Sequence, residues 1–150
     1  MKNLLELIWY ALVRLFFAYP RRGVYLCGPI NGRTDDDAKG WREYAKERLP
    51  KTIDPMDRDY RGRELEPGIA EIIVESDKWK DILWASDLLV YFDKPSVGTS
   101  MEVFLAWLLG IRIVVVNKSD KPLSPWLIYH APEVYTSLDG GIRAILDGKI

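Results

Sequence analysis

The segment LLVYFDKPSVGTSMEVFLAWLL, residues 88–109, decides the fold of this chain. Leu88 to Phe92 form a continuous apolar run that predicts a buried strand, and Met101 to Leu109 predict a helix that is apolar almost all round. Gly98 then falls at the turn from strand to helix, where free backbone N–H groups favour an anion. Glu102 follows just inside the helix, which is where an α/β enzyme presents a nucleophile.

The same residues also allow a purely structural interpretation. Thr99 would cap the helix, and Glu102, at the third helical position, would be its capping-box partner. Spacing alone leaves both interpretations open.

Composition limits the classes of function that the chain can have. Its 150 residues suit one domain with one hydrophobic core, and a net charge of −1 argues against binding a nucleic acid polymer. A single cysteine, Cys27, rules out an internal disulfide and favours a reducing compartment, so we expect a cytoplasmic protein. Together with a single histidine, His130, it supplies too few ligands for a zinc cage, and we expect no metal.

Residues 1–22 are predicted to be an amphipathic helix and linker, ahead of a domain that spans residues 23–150. Glu6 and Arg14 interrupt the apolar segment 4–19, whose longest unbroken apolar run is far shorter than a bilayer requires, so we expect no membrane span. The wide apolar face of this helix includes Leu5, Trp9, Leu12 and Phe16. We expect that face to be buried against the domain or a second subunit; a helix lying in a membrane interface is the alternative.

The remainder of the chain alternates between strand and helix patterns. The predicted strands are 23–27, 52–54, 88–92, 113–116 and 133–136, and the predicted helices are 35–49, 68–85, 101–110 and 138–146. This alternation, with nearly continuous apolar strands, predicts a parallel, doubly wound sheet whose ligands gather at the carboxyl ends of the strands. The three-glycine dinucleotide fingerprint and the Gly-Lys-Ser phosphate loop do not occur, which disfavours nicotinamide chemistry and ATP hydrolysis.

Four segments resemble, in order, the nucleoside 2-deoxyribosyltransferase superfamily. They are YLCGPI at 25–30, DPM at 54–56, SD at 86–87 and SVGTSME at 96–102. The resemblance covers about residues 23–147, and the Gly-x-x-Met-Glu turn is its most specific part. It implies an α/β, flavodoxin-like parallel sheet of about five strands with helices on both faces. It also implies that Glu102 attacks the anomeric carbon of a nucleoside and forms a glycosyl-enzyme intermediate, without a cofactor.

One position bears on the branch of this superfamily. Six residues before the glutamate, transferases that exchange bases carry an aspartate, whereas hydrolases of nucleoside 5′-monophosphates carry a serine, as Ser96 does here. A hydroxyl can donate to a phosphate oxygen that a carboxylate would repel, although a serine can also simply form the turn. Pro29 departs from the hydrolases, which tend to have a phosphate-binding serine there. Ser124 resembles a further phosphate serine that they supply from a neighbouring subunit, or is a turn residue.

The second carboxylate of the family is harder to place. It usually lies eight residues before the aspartate matched to Asp87, and that position is Trp79 here. Asp77 and Asp81 flank it and lie four apart, on one face of a helix. We prefer Asp77 as the acid/base because Asp77-Lys78 resembles the family's Asp-Lys start, with Asp81 next; both could instead be solvated surface carboxylates.

The resemblance therefore implies two catalytic carboxylates, as in retaining glycosidases. The expected substrate-binding residues are Tyr25, Gly28, Pro29, Ile30, Asn31, Asp54, Met56, Arg58, Ser96, Gly98, Thr99 and Ser124. Tyr25 could instead be core and Arg58 surface charge. We expect an N-glycosidase that hydrolyses the base–sugar bond of a (deoxy)nucleoside 5′-monophosphate, with a 2-deoxyribosyltransferase or a non-catalytic nucleotide-binding module as alternatives. The family forms oligomers, so we also expect a homodimer or larger assembly.

Overall fold

The structure, a computed structural model, describes residues 4–6, 8, 9, 11, 12 and 21–148. The strands are β1 (Gly23–Cys27), β2 (Thr52–Ile53), β3 (Ala85–Phe92), β4 (Arg112–Asn117) and β5 (Glu133–Tyr135). The α-helices within 21–148 are α1 (Asp35–Lys46), α2 (Ile69–Glu75), α3 (Val97–Leu108), α4 (Pro125–His130) and α5 (Leu138–Asp147). A 3-10 turn spans Pro55–Arg58, and α2 continues as a π-helix, Ser76–Asp81, and a 3-10 turn, Ile82–Trp84.

The strands form one sheet in the order β2-β1-β3-β4-β5, and every pair is parallel. This is the flavodoxin-like order, in which the direction of winding reverses between β1 and β3. The predicted parallel, doubly wound sheet is confirmed. At such a reversal the two neighbouring crossovers run to opposite faces, so a crevice opens beyond the carboxyl ends of β1 and β3.

Two hydrophobic cores cover the two faces of the sheet. Tyr25 and Cys27 lie in the core beneath α3 and α4, whereas Val24 and Leu26 lie in the core beneath α1 and α5. Successive side chains of a strand point to opposite faces, so strands covered on both sides are apolar throughout. This explains the continuous apolar runs of the sequence.

Helix α3 begins four residues before the position predicted from its apolar pattern. Ser96 is the N-cap, and its hydroxyl accepts a hydrogen bond from the backbone N–H of Thr99 at 3.4 Å. Gly98 and Thr99 therefore lie in the first helical turn rather than in the loop. The capping box of Thr99 with Glu102 is wrong, because Glu102 lies in the second turn. The small residues of the first turn carry no apolar periodicity, which hid the true start.

The predicted helix 68–85 is also interrupted. Its α-helical part ends at Glu75, the π-helix and the 3-10 turn follow, and β3 already begins at Ala85. Helix α4 was not predicted; Ser124 caps it, with Pro125 at its first position.

The described N-terminal residues, 4–6, 8, 9, 11 and 12, are helical. Leu5, Trp9 and Leu12 are exposed, and Ala11 packs against the core beneath α3 and α4. The predicted burial of this face against the domain is therefore wrong for these three side chains, and burial against a second subunit stays a prediction. Phe16 lies outside the described residues. In the described part of the chain, no helix has the length and hydropathy to cross a bilayer.

Candidate active site

The site lies where β1 and β3 end, at the reversal of the sheet. Tyr25 and Cys27 are two residues apart on β1, so both side chains point to the face that α3 covers. Glu102 lies on α3, which follows β3 directly. The strand order therefore brings a residue of the second helical turn against two side chains that are 77 and 75 positions away in sequence.

Both carboxylate oxygens of Glu102 accept a hydrogen bond from β1. The Tyr25 hydroxyl donates to Oε1 at 2.8 Å, and the Cys27 thiol donates to Oε2 at 3.0 Å. The pKa of Glu102 is raised from 4.5 to about 7: burial is the largest cause and the negative charge of Asp77 adds to it, while the hydrogen bonds from Cys27 and Tyr25 act in the opposite direction. The carboxylate is thus ionised over an accessible pH range while it is largely removed from bulk water.

The donors themselves stay protonated. Burial, followed by the charge of Glu102, raises the pKa of the Tyr25 hydroxyl and of the Cys27 thiol well above their ordinary values. At neutral pH both groups therefore remain donors, and Glu102 holds the negative charge of the cluster.

The π-helix decides which aspartate joins Glu102. Asp77 lies in its first turn and lines the same cavity as Glu102, whereas Asp81, at its end, is buried and lines neither of the two cavities described below. Burial and the charge of Asp81 raise the pKa of Asp77 to about 6, while Arg58 lowers it. A π-turn holds an extra residue, which rotates the side chains before and after it relative to each other.

Arg58 forms an ion pair with each of the two aspartates. Its Nη2 lies 3.3 Å from Asp77 Oδ1 and also forms an ion pair with Asp81. The Arg58 guanidinium forms its shorter ion pair with Asp81. Asp77 shares the same guanidinium at a longer distance and also lines the large cavity. Of the two candidates, Asp77 has the surroundings of an acid/base group.

A cavity of about 680 Å³ opens beside Glu102. Its walls come from α2, the π-helix, α3 and α4, and its titratable side chains are Glu102, Asp77, Lys78 and His130. Gly98 and Ser124 also line it, and Ile73, Phe104 and Trp126 are among its apolar side chains. A volume of this size is in the range that accommodates a small organic ligand.

A second cavity, of about 60 Å³, lies on the other side of Asp77. Ile30 and Asn31 from the loop after β1, together with Met56 and Arg58 from the turn after β2, contribute to its lining. Asp77 belongs to both cavities, so the small polar cavity adjoins the large one at the second carboxylate.

Comparison with known proteins supports the fold. No protein-family model matches the chain, and a search of curated proteins found no match either. The solved structure of a 2-deoxyribosyltransferase from the psychrotolerant bacterium Bacillus psychrosaccharolyticus matches with a TM-score of 0.65 and 14% sequence identity. The match covers 79% of this chain and 88% of that chain. This chain has the fold of that deoxyribosyltransferase.

Within this deoxyribosyltransferase fold, several expected binding residues hold the backbone in place. Ser96 and Ser124 cap α3 and α4, although Ser124 also lines the large cavity. Asp54 is buried: it accepts from the Met56 backbone N–H at 2.9 Å and lies 2.6 Å from Lys46 Nζ. These contacts occupy Asp54, which lines neither cavity.

Of the expected binding residues just after β1, some are packed in the interior and others line the small cavity. A Cβ on Gly28 would lie 2.9 Å from the Trp41 ring, so glycine is needed there for close packing. Pro29 and Thr99 are buried and line neither cavity, whereas Ile30 and Asn31 face the small one. Six of the expected substrate-binding residues therefore line one of the two cavities: Ile30, Asn31, Met56, Arg58, Gly98 and Ser124.

Two buried partners were missed from the sequence. Cys27 is buried in the core, and its thiol also donates a hydrogen bond to Glu102. Arg42 is fully buried on α1, donates to the Gly28 carbonyl at 3.0 Å and pairs with Asp54 at 3.4 Å. Its position one turn from Ala38 and Ala45, on the apolar face of a helix, was the available signal. His130 forms no hydrogen bond with these carboxylates, although it lines the large cavity; its Nδ1 lies 2.7 Å from the Trp126 carbonyl oxygen.

In the described residues, no group of three or more His, Cys, Asp or Glu side chains is arranged to hold a metal ion. The arrangement offers instead two carboxyl groups of raised pKa, Glu102 and Asp77, at one cavity.

The buried charge makes stability depend on pH. Because folding raises the pKa of Glu102 from 4.5 to about 7, its protonated form is favoured in the folded state, and stability falls as pH rises through about 7. The Glu102→Gln variant should lose less stability than wild type between pH 5 and pH 8.5, by on the order of 3 kcal/mol in the free energy of unfolding. Urea unfolding at several pH values measures this. Glu71→Gln, at an exposed position on α2, is the control and should follow wild type. If the free energy of unfolding changes with pH in the same way in Glu102→Gln and wild type, the raised pKa of Glu102 is contradicted.

Proposed function

We propose that the chain is an N-glycosidase that hydrolyses the base–sugar bond of a (deoxy)nucleoside 5′-monophosphate. Glu102 is the nucleophile and Asp77 is the acid/base. The observation that carries the proposal is the Glu102 carboxylate, held on both oxygens by Tyr25 and Cys27 at a cavity that Asp77 also lines.

The chemistry uses one carboxylate in each role. A Glu102 oxygen bonds to the anomeric carbon as the carbon–nitrogen bond to the base breaks, and Asp77 gives its proton to the departing base. The Asp77 carboxylate then takes a proton from water, whose oxygen attacks the anomeric carbon and releases Glu102. Burial raises the pKa of Asp77 to about 6, nearer to neutrality than the pKa of an ordinary aspartate, and so lowers the cost of protonating this group before it gives its proton to the base.

The start of α3 supports a phosphate group on the substrate. This helix of 12 residues has no acidic residue in its first turn, and Gly98 of that turn lines the large cavity. A helix N-terminus attracts an anion through its free N–H groups and its dipole. Ser96, at the N-cap, adds no negative charge.

The small cavity suits an edge of the base. Asn31 and Arg58 bring amide and guanidinium groups beside Asp77, and Met56 brings an apolar surface. A base placed there would lie next to the group that protonates it.

Base exchange is a second candidate activity. It is supported by the shared fold with a 2-deoxyribosyltransferase and by a cavity of about 680 Å³ with room for an acceptor base. The first half of the reaction is then the same, and a second base, rather than water, attacks the intermediate.

We further propose that the protein acts as a homodimer or a larger assembly. Exposed apolar side chains of α3 and α4, including Phe104, Leu108 and Trp126, border the large cavity. A second copy packed on this face would bury them and narrow the opening beside Glu102. A cytoplasmic location stays a prediction.

Incubation with a panel of nucleosides and their 5′-monophosphates, with and without a second free base, tests the activity. We expect base release from monophosphates without added base, measured by chromatography. Formation of a new nucleoside only when the second base is added would replace hydrolysis by transfer. Tight binding of nucleotide with no base released from any substrate would identify a binding module and contradict both enzymes.

The matched variants Asp77→Asn and Asp81→Asn separate the two aspartates. Asp77→Asn should lower kcat by about 100-fold or more, because it removes a proton donor at the cavity. Asp81→Asn should lower kcat less than about tenfold, because its side chain pairs with Arg58 and lines neither cavity. Steady-state kinetics and thermal unfolding of both variants provide the comparison. The reverse order of kcat losses would move the acid/base role to Asp81.

The variants Ser96→Asp and Ser96→Asn test the phosphate site without changing the helix cap, because both residues cap as well as serine. Ser96→Asp should lower the ratio of kcat/KM for monophosphate to kcat/KM for free nucleoside by about tenfold or more, through charge repulsion. Ser96→Asn should change that ratio little. Equal ratios in all three proteins would place the phosphate elsewhere.

A further inference from the structure

We propose that Cys27 is a positioning residue for the Glu102 nucleophile: its thiol fixes Oε2, while the Tyr25 hydroxyl fixes Oε1. The proposal rests on the function proposed above, in which Glu102 attacks the sugar. It gives Cys27 a role in the reaction rather than in packing alone.

The two donors come from one rigid element. In β1, Tyr25 pairs with Ile53 of β2 and Leu88 of β3, and Cys27 pairs with Val90 of β3. Both donor residues are fully buried. A carboxylate held on each oxygen by a donor from the same paired strand cannot rotate about its last side-chain bond without losing a hydrogen bond. The plane of the Glu102 carboxylate is therefore set by the sheet.

The thiol has a clear preference for the carboxylate. Its distance to Glu102 Oε2 is 3.0 Å, whereas the Thr99 carbonyl oxygen is 3.9 Å away. The high pKa of the buried thiol keeps its proton in place beside an anionic neighbour. Cys27 thus presents an S–H group to Oε2 when Glu102 is ionised near neutral pH.

A thiol has a chemical advantage at this position. It is a weaker donor than a hydroxyl, so it can orient an oxygen while withdrawing little of its charge. Here the phenol of Tyr25 orients Oε1 at 2.8 Å and the thiol of Cys27 orients Oε2 at 3.0 Å.

Other charged groups act on the same carboxylate and must be held constant in a test. Asp77 of the π-helix raises the pKa of Glu102, and Arg42 of α1 lowers it. The variants below leave both residues unchanged, so a difference between variants reports on the donor at position 27.

Three variants at one position separate donation from packing. Cys27→Ser retains a donor, Cys27→Ala removes it with little difference in size from serine, and Cys27→Val removes it while filling the space. We expect kcat of Cys27→Ser to stay within about threefold of wild type, and kcat of Cys27→Ala and Cys27→Val to fall by about tenfold, the worth of one hydrogen bond to a charged group. The acid limb of the kcat/KM profile should move to higher pH in the two donor-free variants alone. If serine and alanine give the same kcat and the same pH profile, the proposal is overturned.

A second measurement does not depend on turnover. In protein with ¹³C-labelled glutamate carboxyl groups, the Glu102 resonance, assigned by its loss in Glu102→Gln, reports the titration directly. The midpoint should rise in Cys27→Ala and Cys27→Val relative to Cys27→Ser. If wild type releases no base from any substrate but these midpoints differ, the proposed function fails while the hydrogen bond to Glu102 is upheld. Identical midpoints would overturn the positioning role, whether or not the enzyme is active.

Discussion

The hydrogen bonds from the buried Tyr25 and Cys27 to the half-buried carboxylate of Glu102 are the contacts on which the candidate site depends. A carboxylate removed from water costs several kcal/mol unless donors satisfy it. The donors here come from the middle of the sheet, and the acceptor from the helix that follows the neighbouring strand. Only a sheet that reverses its winding between β1 and β3 brings these residues together. The strand order is thus a precondition of the chemistry.

The position of the second carboxylate, Asp77, depends on the π-helix rather than on the strand order. Asp77 and Asp81 are four positions apart, so a regular α-helix would place them on one face. In the structure they lie in the π-helix and have different surroundings. The π-helix and the Arg58 guanidinium produce this difference: one aspartate is buried against a cation, and the other is left at the cavity. Burial raises the pKa values of both Asp77 and Glu102, and the charge of Asp77 adds to the rise at Glu102. This arrangement lets one of them hold a proton while the other is ionised.

Much of the architecture follows from the sequence because buried parallel strands are marked by continuous apolar runs, and β1 and β4 were placed almost residue for residue. The start of α3 was missed because Ser96 and the small residues after it have no apolar periodicity. The π-helix was missed because a regular helix and a π-turn share the same local composition. Glu102 and Tyr25 could be named from the resemblance to a family. Their contact, and the participation of Cys27 and Arg42, could not, because partners 75 residues apart are set by tertiary packing rather than by local pattern.

The central claim is that Glu102 forms a covalent bond to the sugar. A nucleoside 5′-monophosphate with fluorine at C2 of its sugar tests this directly, because the electron-withdrawing fluorine slows breakdown of a glycosyl-enzyme ester. After incubation and proteolysis, mass spectrometry should find the fluorinated sugar phosphate on the peptide that contains Glu102, with one equivalent of base released. Base release with no adduct, or an adduct on a peptide that lacks Glu102, would contradict the account.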